Sequence, residues 1–242
     1  IQIVPSESRD AATKMLEGLN GTIDVIVPRG GKSLVAEVEK SAKVPVFGHL
    51  EGICHIYVDE EADEEKALSI CLNAKMRRTG ICGAAETILV HENISSSFVP
   101  KLVASLSEVN CEIRCCKNTI DFDNRATLAS EDDWSTEYLA AIVSLKSVAS
   151  VDEAISHIDT FGSKHSEAII STDKKQAKYF LDRVDASAVF HNTSTRFNDG
   201  FELGLGAEVA VSTDKLHARG PMGINDLMTY KWVVTGEGQL RS

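Results

Sequence analysis

Short apolar runs with strand character alternate with amphipathic helical stretches along most of the chain, and this alternation limits the fold more than any other feature. "TIDVIV" (22–27) runs to Pro28 as a strand and precedes the helical "KSLVAEVEKSA" (32–42). "VPVF" and "ICHIYV" (53–58) are β-rich and precede "DEEKALSICLNAKMRR" (63–78), with acidic residues in its first turn and Lys75, Arg77 and Arg78 in its last. That placement suits the helix dipole at both ends. The pattern repeats: strand "TILVH" and helix "SSSFVPKLVASLSEV", strand "LAAIVSLKSV" and helix "SVDEAISHIDTFG", strand "SEAIIS" and helix "DKKQAKYFLDRV", then strand "SAVFH". Such alternation predicts an α/β protein with a largely parallel sheet. At the ends, "IQIV" reads as an opening strand, "SRDAATKMLEGL" as a helix closed by Asn20-Gly21, and "LMTYKWVV" (227–234) as a closing strand. "DFDNRATLASEDDW" carries no apolar period and reads as a surface loop, and 192–223 is rich in Gly and polar residues.

Composition narrows the function classes. A chain of 242 residues with 43% hydrophobic and 25% charged residues buries a core, and no apolar run approaches membrane-spanning length. A formal net charge of −11 argues against nucleic acid or an anionic membrane as partner. The first residues show no secretory signal and no start methionine, so the chain reads as part of something longer. Six cysteines without paired C-x-x-C knuckles, and seven histidines without a metalloprotease pattern, predict reduced cytoplasmic thiols and no metal site.

Five stretches carry candidate chemistry. In "PRGGKSL", Arg29, Gly30, Gly31, Lys32 and Ser33 lie between a strand and a helix. The glycines let a ligand approach the backbone, and the first amides of the helix attract anions, but an ordinary β-to-α turn has the same composition. Cys82 in "TGICGAAE" is the one cysteine with glycine neighbours and a loop position. If Gly83 begins a helical turn, its amides favour thiolate; a buried spacer is the alternative. In "NTSTRF", Asn192, Thr193, Ser194, Thr195 and Arg196 follow a strand, at the carboxyl edge where α/β proteins bind ligands; their hydroxyls and the Arg could grip a carboxylate, though a hydrogen-bonded turn is the simpler reading of the same residues. "LHARGPMG" offers His217 and Arg219 for an anion contact or a structural one, and Gly204-x-Gly206 is a weak dinucleotide signal.

Together, "DVIVPRGGKSL", "VPVFGHLEGICHIYVDEEAD", "ICGAAETILVH", "HNTSTRFNDG", "ELGLGAE" and "STDKLHARGPMG" resemble, in order and spacing, the γ-glutamyl phosphate reductase family of the aldehyde dehydrogenase superfamily. The resemblance implies an aldehyde-dehydrogenase-like fold. Residues 1–50 would be the latter part of a Rossmann-like cofactor domain, 51–223 a parallel-sheet catalytic domain, and 224–242 a C-terminal strand segment returning to the cofactor domain or forming an interface. It implies NADPH-dependent reduction of L-glutamyl 5-phosphate to glutamate 5-semialdehyde, a step of proline biosynthesis, in a cytoplasmic dimer or larger homo-oligomer. Cys82 matches the catalytic cysteine, the Arg29–Ser33 turn the cofactor-phosphate turn, and Glu137 the glutamate on the nicotinamide ribose. Asn192–Arg196 and Arg219 would border the substrate. The family's long N-terminal part, with its side-chain oxyanion donor, precedes the equivalent of Ile1. Where aldehyde-oxidising members have Glu-Leu-Gly-Gly-Lys, this chain has Leu50-Glu51-Gly52-Ile53-Cys54, a departure that counts against oxidation of another aldehyde by water. That oxidation, or a chain that only binds nucleotide or a partner subunit, stays open as the alternative.

Overall fold

The computed structural model describes residues 2–216 and 218–241. The chain runs through α1 (Arg9–Leu16), α2 (Lys32–Ser41), β1 (Cys54–Val58), α3 (Glu64–Met76), β2 (Ala85–His91), α4 (Glu92–Glu108), β3 (Glu112–Cys115) and β4 (Thr127–Leu128). It continues through β5 (Ile142–Val148), α5 (Val151–Phe161), β6 (Ser166–Ile170), α6 (Lys174–Arg183), β7 (Ala188–His191), β8 (Val211–Ser212) and β9 (Gly220–Pro221). β1 to β7 form one parallel sheet in the order β4-β3-β5-β2-β1-β6-β7, and β8 and β9 pair as a small antiparallel ribbon.

Strand side chains alternate between two apolar layers. Ile56, Val58, Ile88 and Val90 face α3 and α4, where Ala67, Cys71, Ala74, Phe98, Leu102 and Leu106 are buried against them. Tyr57, Leu89 and Ile169 face α5 and α6, packing on Ile155, Ile158 and Phe180. Both faces of the central strands are therefore covered, which is why these strands read as unbroken apolar runs. Helix starts follow local chemistry: Asp63, Ser150 and Asp173 each accept a backbone N–H inside the first turn of α3, α5 and α6.

Most differences from expectation lie toward the ends of the chain, and one lies inside it: the stretch 121–134, expected as a surface loop, contributes the two-residue edge strand β4. Residues 2–4 are exposed and unpaired, and Ile1 lies outside the described residues. The "TIDVIV" strand reduces to a parallel bridge between Ile26 and Val46. The C-terminal stretch forms no strand among the described residues. A 3-10 turn spans Asn225–Leu227, and beyond it Tyr230, Trp232, Val233 and Val234 are largely exposed. A period-two apolar pattern becomes a strand only when it pairs with an edge, and among the described residues this segment pairs with none.

Candidate active site

The site forms at the amino-terminal edge of the sheet, where four segments precede four strands. Gly52 leads into β1, Cys82 into β2, the Glu137 segment into β5, and His165 into β6. This corrects the expectation of a carboxyl-edge pocket. Asn192 does lie at the carboxyl edge, where its amide group bonds both the N–H and the carbonyl of Ser171 just past the end of β6. From there the chain runs back along β6, and Asn198 donates to Ser166 Oγ at that strand's start. The reversal delivers Thr195 and Arg196 to Cys82. Thr195 Oγ1 donates to the Gly83 carbonyl at 2.8 Å, and a Cβ on Gly83 would stand 2.5 Å from an Arg196 terminal nitrogen. A side chain at Gly83 would therefore displace the guanidinium from its place beside Cys82.

Cys82 itself is half-buried in a turn closed by the Ala84 N–H on the Ile81 carbonyl, and this turn passes into β2 rather than into a helix. The expected stabilisation of thiolate by helical amides is absent for that reason. The loop is held from below: Cys54 Sγ donates to the Cys82 carbonyl at 3.1 Å, and a Cβ on Gly52 would come within 2.1 Å of the same oxygen. Glu137 Oε1 accepts the Gly52 N–H at 2.8 Å. Cys82 opens on a cleft of about 380 Å³ whose walls include Arg29, Gly30, His49 and Glu208. The glycine-rich turn and the thiol, with Gly30 and Cys82 52 residues apart in sequence, therefore share one cleft. The N-cap residue of α2, Gly31, offers no side-chain bond, so the first amides of that helix lack a side-chain cap. Lys32, by contrast, is ion-paired with Glu51.

Charge around the thiol is mixed. Burial, then the carboxylate of Glu137, push Cys82 up to about 11, against the pull of Arg196. Arg196 is buried, its Nε has no hydrogen-bond partner, and burial lowers its pKa. With Asn73, Arg77, Phe197 and Glu202 it also lines an adjoining cavity of about 150 Å³. An unpaired buried cation beside the thiol is a ready partner for an anion. Arg219 serves elsewhere: it donates to the Thr213 carbonyl and to Asp185, bracing the β8–β9 ribbon. Its neighbour in the motif, His217, lies outside the described residues.

Alkylation of Cys82, followed by peptide mass mapping, should rise about tenfold per pH unit from 7 to 10 without a plateau, because only thiolate reacts and its population grows throughout that range. Glu137→Gln removes the charge that raises the thiol and keeps an oxygen for Gly52. It should speed alkylation at pH 8 severalfold. A plateau near pH 8.5, or no effect of the substitution, would contradict this electrostatic picture.

Two residues near the thiol gave no signal in sequence. One ring nitrogen each of His49 and His165 lies, with Cys82 Sγ, in a group whose members are all within 4.8 Å of one another. Separations of 33 and 83 residues from Cys82 fit no short motif.

The parallel sheet flanked by helices, with a cysteine at the mouth of a cleft shared by a glycine-rich turn, is an aldehyde-dehydrogenase-like arrangement. Residues 1–119 match the model of the aldehyde dehydrogenase family. More particularly, the chain is homologous over its whole length to γ-glutamyl phosphate reductases. It is 52% identical over 241 residues to the one from Parvibaculum lavamentivorans, covering all of this chain and 57% of that protein. It is 50% identical over 242 residues to the one from Bartonella quintana, covering 58% of it. The crystal structure of γ-glutamyl phosphate reductase from Thermotoga maritima superposes with a TM-score of 0.95 at 44% identity, over 99% of this chain and 57% of that one. The chain thus spans somewhat over half the length of the relatives it matches.

Proposed function

We propose that this chain carries the thiol half of a γ-glutamyl phosphate reductase, converting L-glutamyl 5-phosphate to glutamate 5-semialdehyde in the cytoplasmic synthesis of proline. The observation that carries this reading is the meeting of Cys82, the Arg29–Gly30 turn and the Arg196 segment at one edge of the sheet. Cys82 releases its proton to solvent and its sulfur attacks the acyl carbon; the bond from that carbon to the phosphate oxygen breaks, phosphate leaves with the electron pair, and a thioester remains. A thioester accepts hydride more readily than the oxoester a serine would form, which is the chemical reason for cysteine here. NADPH, when bound, supplies that hydride. Cys82 is then expelled from the reduced carbon and regains its proton, releasing the aldehyde.

Arg29–Ser33 and the uncapped start of α2 would hold the anionic part of the dinucleotide, as their amides and the Arg29 charge suit a phosphate. Glu137, already tied to Gly52, would orient the nicotinamide ribose. Arg196, with Ser194 and Thr195 fixing its backbone, would hold the substrate's carboxylate or phosphate beside the sulfur. Asn192 and Thr193 take the more distant part, setting where the segment turns back. In domain terms, residues 1–50 contribute to the cofactor side and 51–223 carry the thiol. No helix among the described residues is long and apolar enough to cross a membrane. The exposed run from Met228 to Val234 would be covered by a second copy in a homodimer or larger assembly.

Steady-state assay of the reverse direction tests the reading. Glutamate 5-semialdehyde should reduce NADP⁺ beyond a single turnover only when inorganic phosphate is present to take the acyl group from Cys82. Equal rates with and without phosphate would instead support oxidation by water.

A further inference from the structure

We propose that His49, Cys82 and His165 form a binding site for a borderline-soft divalent cation, zinc above all, that captures the catalytic sulfur as a ligand. The ligand atoms already stand within 4.8 Å of one another. Zinc bonded to nitrogen at about 2.0–2.1 Å and to sulfur at about 2.3 Å places tetrahedral ligands about 3.3–3.6 Å apart, so movements of about an ångström complete the site.

The hydrogen-bonding around the two imidazoles leaves Nε2 of each ring free to bind a metal. His49 Nδ1 bonds the Val211 carbonyl at 2.7 Å, which makes it the protonated nitrogen and leaves Nε2 with its lone pair. His165 is wholly buried; its Nδ1 meets Ser166 Oγ at 2.8 Å, whereas its Nε2 has no partner. A buried ring nitrogen without a partner costs stability unless something fills it. The two rings meet edge to face with centroids 4.8 Å apart. Two neutral imidazoles and one thiolate are the donor set that zinc favours over magnesium or calcium. His49 and Cys82 both line the cleft of about 380 Å³, which provides an entry path and room for water in a fourth position. On binding, the S–H bond breaks, a sulfur–zinc bond forms and the proton passes to solvent, with no change in oxidation state. The sulfur so held is unavailable to an acyl donor, so the cation is a reversible block on the thiol.

The test is a zinc titration of the protein against a fluorescent zinc indicator, with iodoacetamide labelling of Cys82 followed by peptide mass mapping. One equivalent of zinc should bind, and it should slow labelling of Cys82 at least tenfold until a chelator removes it. Cys82→Ala and His49→Ala should each weaken binding at least tenfold. The His49 variant replaces a partly exposed ring, and an unchanged thermal melt without metal shows that its fold is intact. Labelling of Cys82 that ignores zinc, or affinity unchanged in both variants, would overturn the proposal. Neither readout depends on turnover, so a negative result leaves the reductase reading untouched.

Discussion

Replacing Cys82 by alanine should reduce turnover by about four orders of magnitude or more, since loss of the nucleophile removes the covalent route rather than weakening it. The fold should survive the change. The thiol is half-buried, and what anchors its loop is backbone: the Cys82 carbonyl accepts from Cys54 Sγ, and the Gly83 carbonyl from Thr195. Alanine retains both acceptors. Circular dichroism and a thermal melt on the same sample separate the two effects, and substantial residual turnover by folded Cys82→Ala protein would remove the sulfur from the mechanism. Among the other cysteines, Cys54, Cys71 and Cys115 are completely buried and Cys111 nearly so, which leaves them no access to substrate; Cys116 is half-buried, but its sulfur lies against Thr119 Oγ1 just past the end of β3, at the opposite edge of the sheet.

The second large effect concerns the floor beneath the site. Lys75, in the last turn of α3, and Glu86, the second residue of β2, form a salt bridge at 2.5 Å with both side chains excluded from water. Glu86 also receives the Leu139 N–H, two residues from Glu137, and the Lys75 ammonium lies over the Tyr138 ring. The pair therefore ties helix, strand and the Glu137 segment together. Lys75→Met should cost about 3–5 kcal/mol, because it strands a buried carboxyl group without its partner. Combining it with Glu86→Leu should restore most of the loss, since a buried ion pair and a well-packed apolar pair differ little in net stability. Chemical denaturation of the two single variants and the double variant measures this coupling, and a double variant as unstable as the sum of the singles would contradict it. Burial pushes the Glu86 carboxyl up to about 7, against Lys75. A carboxyl group raised by folding keeps its proton in the native state after the unfolded chain has lost it. This group's contribution is accordingly present below its ordinary pKa and declines as pH rises toward 7.

Much of the architecture was legible because the local signals agree with one another. Each of α3, α5 and α6 opens on an Asp or Ser that caps it, and the central strands are apolar on both faces. The strand expectation failed where pattern met no partner, as at Gln2–Val4 and Met228–Val234. The thiol and the glycine-rich turn were recognisable from composition and neighbours. What surrounds them was not. Arg196 reaches Cys82 only because the chain reverses along β6 after Asn192, whose φ of 55° begins the turn. His49 and His165 converge on the sulfur from the leads into different strands. Proximity across parallel strands is set by sheet order, with β1 between β2 and β6, and sheet order leaves no periodic trace in sequence. Arg219 illustrates the reverse case: a conspicuous cation in a Gly/Pro-rich loop proves to be a brace.

Whether the acyl group travels on Cys82 can be read most directly by mixing the protein with glutamate 5-semialdehyde and NADP⁺ in the absence of phosphate, quenching in acid and mapping the peptides by mass. A burst of NADPH no larger than the enzyme concentration should appear, with a glutamyl thioester on the peptide containing Cys82 that is discharged when phosphate is added before the quench. Continued turnover with that peptide unmodified would contradict transfer through Cys82.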